Sequence, residues 1–354
     1  MVYYCLYERI PIREFDLIMK KVSIWDVVKK SGLSLVTVSK VLNNSPTVRE
    51  SNRQKVLQAI QELDYRPNAA ARNLARGSTG LIGLTLITLQ DSVFDGIVHA
   101  VNEALEENGY FLALNVCSSP DGGLKPTNFL FQEDRVDGII VLSPMEEEQY
   151  VLELKRKKIP FVIIDNQIEK TNATTVNVDN YTGGYEATKH LIGLGHTRIA
   201  HVSGPELFLS ARERRRGFEA AMAEAGLTPL AVACTEFNIR SGFDVAKEWL
   251  RSGNVPTAVF AGEDGLALGV MDAFRDEGYR IPRDISIVGY DDQVFAADIH
   301  PRLTTVRQPM EQMGQQAVRL LLKLIDGSMK RNTSVCLKPE LIVRESTLPY
   351  SPAP

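Results

Sequence analysis

Four cysteines in 354 residues, Cys5, Cys117, Cys234 and Cys336, stand far from one another, so neither a disulfide framework nor a metal knuckle is legible. That usage fits a reducing compartment. Long apolar runs are missing as well. No stretch approaches the ~20 residues that span a bilayer, and the opening MVYYCLYERIPIREFD lacks the uninterrupted apolar core of a secretion signal. The expectation is a cytoplasmic protein with no membrane partner. Catalytic signatures are absent too: there is no P-loop, no G-x-G-x-x-G after a strand and no G-x-S-x-G. His190, His196 and His201 form a spacing that resembles a metal cluster. They straddle a helix end, a turn and a strand, so their side chains are expected to pack or hydrogen-bond separately. No catalytic residue, metal or cofactor is expected, and the chain does not read as an enzyme.

What is present is a soluble composition, 44% apolar and 24% charged, long enough for two or three domains. Its net charge of −4 hides an asymmetry. Met19 to Ser78 carries 11 basic and 4 acidic residues, a balance of +7, while everything from Thr79 onward balances at −10. A basic first segment on an acidic body suits a nucleic-acid-binding module joined to a domain with another task.

The basic segment reads VSIWDVVKKSGLSLVTVSKVLNN from Val22. Ile24, Val27 and Val28 mark one short helix ending at Ser31-Gly32. Ser34 is a natural N-cap for a second, running to about Leu42 with Val38, Val41 and Leu42 on its buried side. Two such helices around a glycine turn make a helix-turn-helix, whose second helix enters the major groove. Thr47-x-x-Glu50 has capping-box form and opens a third helix carrying Val56, Ile60 and Leu63. Ser34, Thr37, Ser39 and Asn43 suit phosphate oxygens, although Ser34 is needed as a cap in any case. Leu35, Val36 and Lys40 are the candidates for base edges: Lys40 donates to guanine acceptors, and the other two suit a thymine methyl.

D-V-x-x-x-S-G-L-S-x-x-T-V-S-K-V-L-N followed by Y-R-P-N-A-A-A-R-N-L-A closely resembles the headpiece of the lactose-repressor (LacI) family. Val28 departs from the family's usual Ala, and Arg49 from its usual Ser or Thr. The resemblance adds Ser23, Ile24, Asn52, Asn68 and Ala71 to the DNA-contacting set. It makes PNAAARNLARG a hinge helix whose Leu74 wedges into the minor groove beside its dimer mate, at an unstacking cost of a few kcal/mol. On composition alone, that segment is a linker helix, with Pro67 suited to its first turn and Gly77 to its end. Because so short a helix is marginal alone, its order depends on DNA and on the ligand domains. The family pattern begins near Met19, which leaves residues 1–18 as an extension without assigned function.

After Thr79 apolar runs alternate with amphipathic stretches. LIGLTLI, YFLALNV, GIIVL, PFVIID, RIAHV, TAVFA and ISIVGY read as strands with helices between them, which predicts parallel, doubly wound sheets. About 270 residues exceed one such sheet, so two lobes with a cleft at strand carboxyl ends are expected. The family resemblance continues through VDGIIVLSP, PFVIIDN, VNVDNYTGGYEATKHLIGLGHTRIAHVSGP, PTAVFAGEDGLALGVMDAF and IPRDISIVGYDD to about Ser346. It implies the two-lobed periplasmic-binding-protein-like fold, with three crossovers placed near Val178, Val306 and Val335. The expected fold class is therefore α/β: an all-α helix-turn-helix headpiece plus that two-lobed domain. The expected boundaries are headpiece 19–66, hinge 67–79 and effector domain 80–348. Its lobes are 80–178 with 307–335, and 179–306 with 336–348.

The resemblance also places effector contacts. Asp165 and Asp291 end strands, where carboxylates accept from sugar hydroxyls. Arg214 offers a planar donor fork, and Phe237 an aromatic face. Asp91, Val93, Phe94 and Asp95 follow the first strand on the opposite lobe. Glu263-Asp264 replaces a usual Asn-Asp or Ser-Asp, and Phe208 stands where purine-responsive relatives carry an arginine. A sugar or sugar derivative is the expected effector. Two rivals are a phosphorylated carrier protein as co-regulator and a free-standing sugar-binding protein, the latter having no use for a basic headpiece. Small headpieces bind half-sites in pairs, and the end at SPAP carries no heptad segment, so a homodimer on a pseudo-palindromic double-stranded DNA operator is expected. The logarithm of the operator-binding constant should fall steeply with the logarithm of salt concentration, because phosphate contacts dominate; a flat profile in a gel-shift titration would contradict the headpiece reading.

Overall fold

The chain divides into two compact units, Met1–Ser78 and Thr79–Pro354. The structure, a computed structural model, describes residues 22–42, 45–65, 78–87, 94–116 and 135–351. The expectations for residues 1–18, Asn43, the hinge with Asn68, Ala71 and Leu74, and for Asp91 and Val93 lie outside the described residues.

In the first unit α1 (Ile24–Ser31), α2 (Leu35–Leu42) and α3 (Glu50–Glu62) surround one small core. The backbone N–H and hydroxyl of Ser23 both donate to the Asp26 carboxylate at 2.8 Å, anchoring the start of α1. Gly32, at φ 68°, ends that helix in the left-handed region that an L side chain disfavours. The Ser34 hydroxyl accepts from the Thr37 N–H at 3.3 Å and caps α2. Val27 and Val38 are fully buried, and Val41, Val56, Ala59 and Tyr65 complete the core. One local expectation fails. Thr47 and Glu50 form no capping box, because Glu50 is the first residue of α3 rather than its third and Arg49 holds the cap position. Thr47 pairs instead with the Ser45 hydroxyl at 2.9 Å.

The second unit contains two six-stranded sheets. In chain order its elements are β1 (Leu81–Leu86), α4 (Asp95–Glu107), β2 (Phe111–Val116), β3 (Gly138–Leu142), α5 (Glu147–Arg156), β4 (Phe161–Ile164), β5 (Thr175–Val178) and α6 (Asn180–Gly193). There follow β6 (Ile199–Ser203), α7 (Leu209–Glu224), β7 (Ala231–Cys234), α8 (Ile239–Ser252), β8 (Ala258–Ala261), α9 (Asp264–Asp276) and β9 (Ser286–Asp291). The last elements are β10 (Thr304–Arg307), α10 (Met310–Ile325), β11 (Ser334–Leu337) and β12 (Glu340–Ile342). The first sheet runs β11-β5-β4-β3-β1-β2 and is parallel throughout; the second runs β12-β10-β9-β8-β6-β7, with β12 alone antiparallel. Parallel strands buried on both faces read as continuous apolar runs, which is why GIIVL and FVII are wholly buried.

The chain passes between sheets after Val178, after Arg307 and at Lys338–Pro339. The third passage lies beyond Val335, which sits inside β11 because pairing with β5 continues to Leu337 opposite Val178. Helices α6 and α7 meet backbone to backbone. A side chain at Gly184 would strike the Arg214 carbonyl, and one at Gly217 the Tyr181 carbonyl. No helix among the described residues is long and apolar enough to cross a membrane.

The three histidines go to separate partners. His190 meets the Thr347 hydroxyl, and His196 meets Thr257, Ser286 and the Leu348 carbonyl. His201 is fully buried, stacked between Phe218 and Phe260 at 4.9 and 4.8 Å, and its Nδ1–H donates to the Phe260 carbonyl at 2.8 Å. Burial pushes its pKa down from 6.5 to about 4. Unfolded chains therefore take up the proton first, and this contribution to stability is complete above pH 6.5 and lost as pH falls towards 4. Urea denaturation should show the parent losing about 2 kcal/mol more than His201→Leu between pH 7 and pH 5; equal losses would show that the imidazole does not titrate with unfolding.

Candidate functional site

Two surfaces carry the candidate residues, one in each unit. On the headpiece, α2 presents Val36, 64% exposed, and Lys40 to solvent, with Leu35, Thr37 and Ser39 half-buried beside them. Ser34 is exposed and its hydroxyl lies 3.0 Å from that of Thr37, so both hydroxyls stand at the start of the helix where backbone N–H groups point outward. Ser23 is exposed within its capping pair, and Asn52 is half-buried on α3. Ile24 packs against the headpiece core instead of standing free. Trp25, 62% exposed on α1, is a large surface apolar group that motif spacing did not single out.

In the second unit the carboxyl ends of both sheets face a cleft of about 780 Å³. Phe94, Asp165, Arg214, Phe237, Glu263 and Asp291 all line it. Asp95 does not. It is the exposed first residue of α4, and the helix turns Phe94 and Ile97 towards the cleft and Asp95 away.

Arg214 is the organising group. Its Nε donates to Asn180 at 2.9 Å, its Nη1 to the Gly262 carbonyl at 2.6 Å, and its Nη2 lies 3.3 Å from Asp291 Oδ1. The guanidinium also stacks over the Tyr290 ring at 3.7 Å. Burial works to lower its pKa, but Asp291, Tyr290, Asp165 and Glu263 outweigh that and leave it above the ordinary value. Asp291 additionally accepts from Gln308 Nε2 at 2.5 Å. On the other lobe the Ser143 hydroxyl donates to Asp165 at 2.9 Å. Ser143, Asp165 and Asp291 have φ of 45°, 56° and 107°, left-handed conformations that cost non-glycine residues energy and gather at functional sites.

Carboxylates crowd this region. Burial pushes Asp165 above its usual range, opposed by Ser143 and Arg214. Asp264, fully buried behind Asp291, is raised further, first by burial and then by Asp291. Glu263 caps α9, accepting from the Leu266 N–H at 3.0 Å and from the Gln293 amide. Its longer side chain is thus held largely by the protein itself. Phe237 and Phe208 form a tilted aromatic pair 5.7 Å apart, with Phe237 seated over Gly204 where no Cβ could fit.

Sequence reasoning missed Ser143, Ser210, Gln293 and Gln308, which line the same cleft. Ser210 carried a usable signal, lying one helical turn before Arg214. The other three are single polar residues at strand or loop ends, without spacing to mark them.

Comparison with known proteins bears on both surfaces. Residues 23–68 match the family described as bacterial regulatory proteins, lacI family, and residues 188–347 match a periplasmic binding protein-like domain. The HTH-type transcriptional repressor PurR of Haemophilus influenzae is 37% identical over 92% of this chain and 98% of its own length. Two solved structures are similar. A lac repressor dimer bound to operator and the anti-inducer ONPF has a TM-score of 0.85 at 31% identity, covering 93% of this chain and all of that one. A complex of the transcriptional regulator CelR with cellobiose has a TM-score of 0.70 at 31% identity, covering 92% and 99%.

Removing one member of a buried ion pair leaves the other charge uncompensated. Arg214→Met should therefore lower unfolding free energy by about 3–5 kcal/mol in urea denaturation; a loss under about 1 kcal/mol would mean that Asp291 is satisfied without the guanidinium.

Proposed function

The chain belongs to the LacI family of bacterial regulatory proteins and is a DNA-binding transcriptional repressor; on that premise we propose that an uncharged saccharide is its effector. The saccharide fills the cleft between the lobes and changes operator affinity. The observation that carries this reading is the donor-acceptor balance of the cleft. Asp165, Glu263 and Asp291 bring acceptors, whereas the Arg214 fork is already engaged by Asn180, Gly262 and Asp291. Sugar hydroxyls supply donors in the directions that carboxylates need. A phosphate would bring further negative charge beside these carboxylates; among the described lining residues the other guanidinium, Arg240, pairs with Asp244 at 3.0 Å at the exposed edge. Phe208 and Phe237 offer an apolar surface for the carbon face of a ring, and the volume accommodates two rings. The CelR relative, complexed with cellobiose, supports the class. A nucleobase is the second reading, favoured by the same aromatic pair.

The remaining assignments follow as parts of this proposal. Ser34, Val36, Thr37, Ser39 and Lys40 contact DNA, together with Ser23, Leu35, Asn43 and Asn52. Asn68, Ala71 and Leu74 form the hinge contacts in the minor groove. Two copies assemble as a homodimer on a pseudo-palindromic operator, in the compartment that holds the DNA. The boundaries are headpiece 19–66, hinge 67–79 and effector domain 80–348.

A thermal-shift screen tests the effector class, since a ligand that binds only the folded state raises the melting temperature with concentration. Neutral mono- and disaccharides should raise it and their phosphorylated counterparts should not, and Phe237→Ala should weaken the active sugar by about two- to tenfold. A screen in which only phosphorylated sugars or only nucleobases respond would refute the reading.

A further inference from the structure

Gln167 is 8% exposed, although it sits in the loop after β4. Its amide orientation is fixed by chemistry, because the Leu209 backbone N–H can only donate and therefore meets Oε1, at 2.9 Å. Leu209 is the first residue of α7 and belongs to the second sheet's lobe; Gln167 belongs to the first. The same amide's Nε2 donates to the Asp165 carbonyl at 2.7 Å and to the Ser143 hydroxyl at 3.2 Å, and that hydroxyl holds the Asp165 carboxylate. Beneath it the buried Glu147 carboxylate accepts from the backbone N–H groups of Gln167 and Ile168 at 2.6 and 3.1 Å, pinning the loop. Arg212 of the second lobe reaches the Gln167 carbonyl at 3.4 Å.

We propose that Gln167 is a positioning residue that ties the strand-end group Ser143–Asp165 of one lobe to the first turn of α7 in the other, so that contact with Asp165 and the angle between the lobes change together. Three features converge on this assignment. The bond links the lobes without a covalent passage, beside the first of the three, where Asn166 bonds Asn177 at 3.1 Å. Its two ends lie two residues from Asp165 on one side and five from Arg214 on the other, so slack is small. An N–H in the first turn of a helix has no intrahelical acceptor, so Gln167 Oε1 supplies the partner that this donor otherwise lacks. The proposal does not depend on which molecule fills the cleft.

The test uses the full chain without effector. Hydrogen exchange at the Leu209 amide should accelerate at least about three- to tenfold in Gln167→Met, the value of one net hydrogen bond, while Met222 within α7 keeps its rate. Gln167→Glu, which retains the acceptor, should restore protection. Leu209→Pro removes the N–H donor, together with the leucine side chain, while keeping the helix start: proline suits the first helical position, and Phe208 before it is already extended at ψ 126°. With spin labels at exposed Leu152 and Arg251 and the native cysteines changed to serine, Gln167→Met and Leu209→Pro should each broaden the distance distribution between lobes. Unchanged exchange in Gln167→Met, or an unchanged distribution in Leu209→Pro, would overturn the proposal.

Discussion

The second unit's cleft is arranged around the buried guanidinium of Arg214. Arg214 draws together the start of α6 through Asn180, the end of β8 through Gly262 and the end of β9 through Asp291, with Tyr290 flat beneath it. Such a pair is weak evidence for stability, because desolvation offsets most of its attraction. Its effect is geometric. Three strand and helix ends are held at one point, and the conformation of Asp291 at φ 107° is sustained by the bonds around it. The approach of α6 to α7, which only glycine permits at positions 184 and 217, puts the arginine where it can reach all three.

That arrangement fixes the chemistry of the cleft. The Arg214 guanidinium interacts with Asp291, Asp165 and Glu263, while burial raises Asp165 and Asp264. Three carboxylates, Asp165, Glu263 and Asp291, line the cleft. A ligand rich in hydroxyl groups supplies donors to them, and an anion adds like charge. Asp165 and Asp291 stand on different sheets, so under the proposed function one ligand meets both lobes and links the angle between them to occupancy. Three short passages, at Val178, Arg307 and Lys338–Pro339, connect the sheets covalently.

How much of this was written in the residue order depends on the physical signal each feature leaves. Buried parallel strands leave apolar runs, so β1, β3, β4, β6, β8 and β9 were legible. The strands β5, β10 and β11 do not stand out, because TVNV, TTVR and SVCL are short and mixed with polar residues, and β7 is only a four-residue run of small side chains, AVAC. Glycine and serine punctuation gave α1 and α2 almost to the residue. The capping box at Thr47 misled, since the pattern says nothing of where the first turn closes. At the site, residues within motif-rich stretches were found, namely Asp165, Arg214, Glu263 and Asp291. Asp95 was carried along by adjacency to Phe94. Ser143, Gln293 and Gln308 were invisible, because they meet the others only through the fold.

The central claim is that a small molecule spanning both lobes governs hold on DNA. Linkage makes it directly measurable, since two ligands that affect each other must do so by equal factors. Saccharide affinity, measured by calorimetry with and without saturating operator at one salt concentration, should differ by about fivefold or more. Operator affinity measured with and without saturating saccharide should change by the same factor. Equal saccharide affinities in the presence and absence of operator would contradict the account.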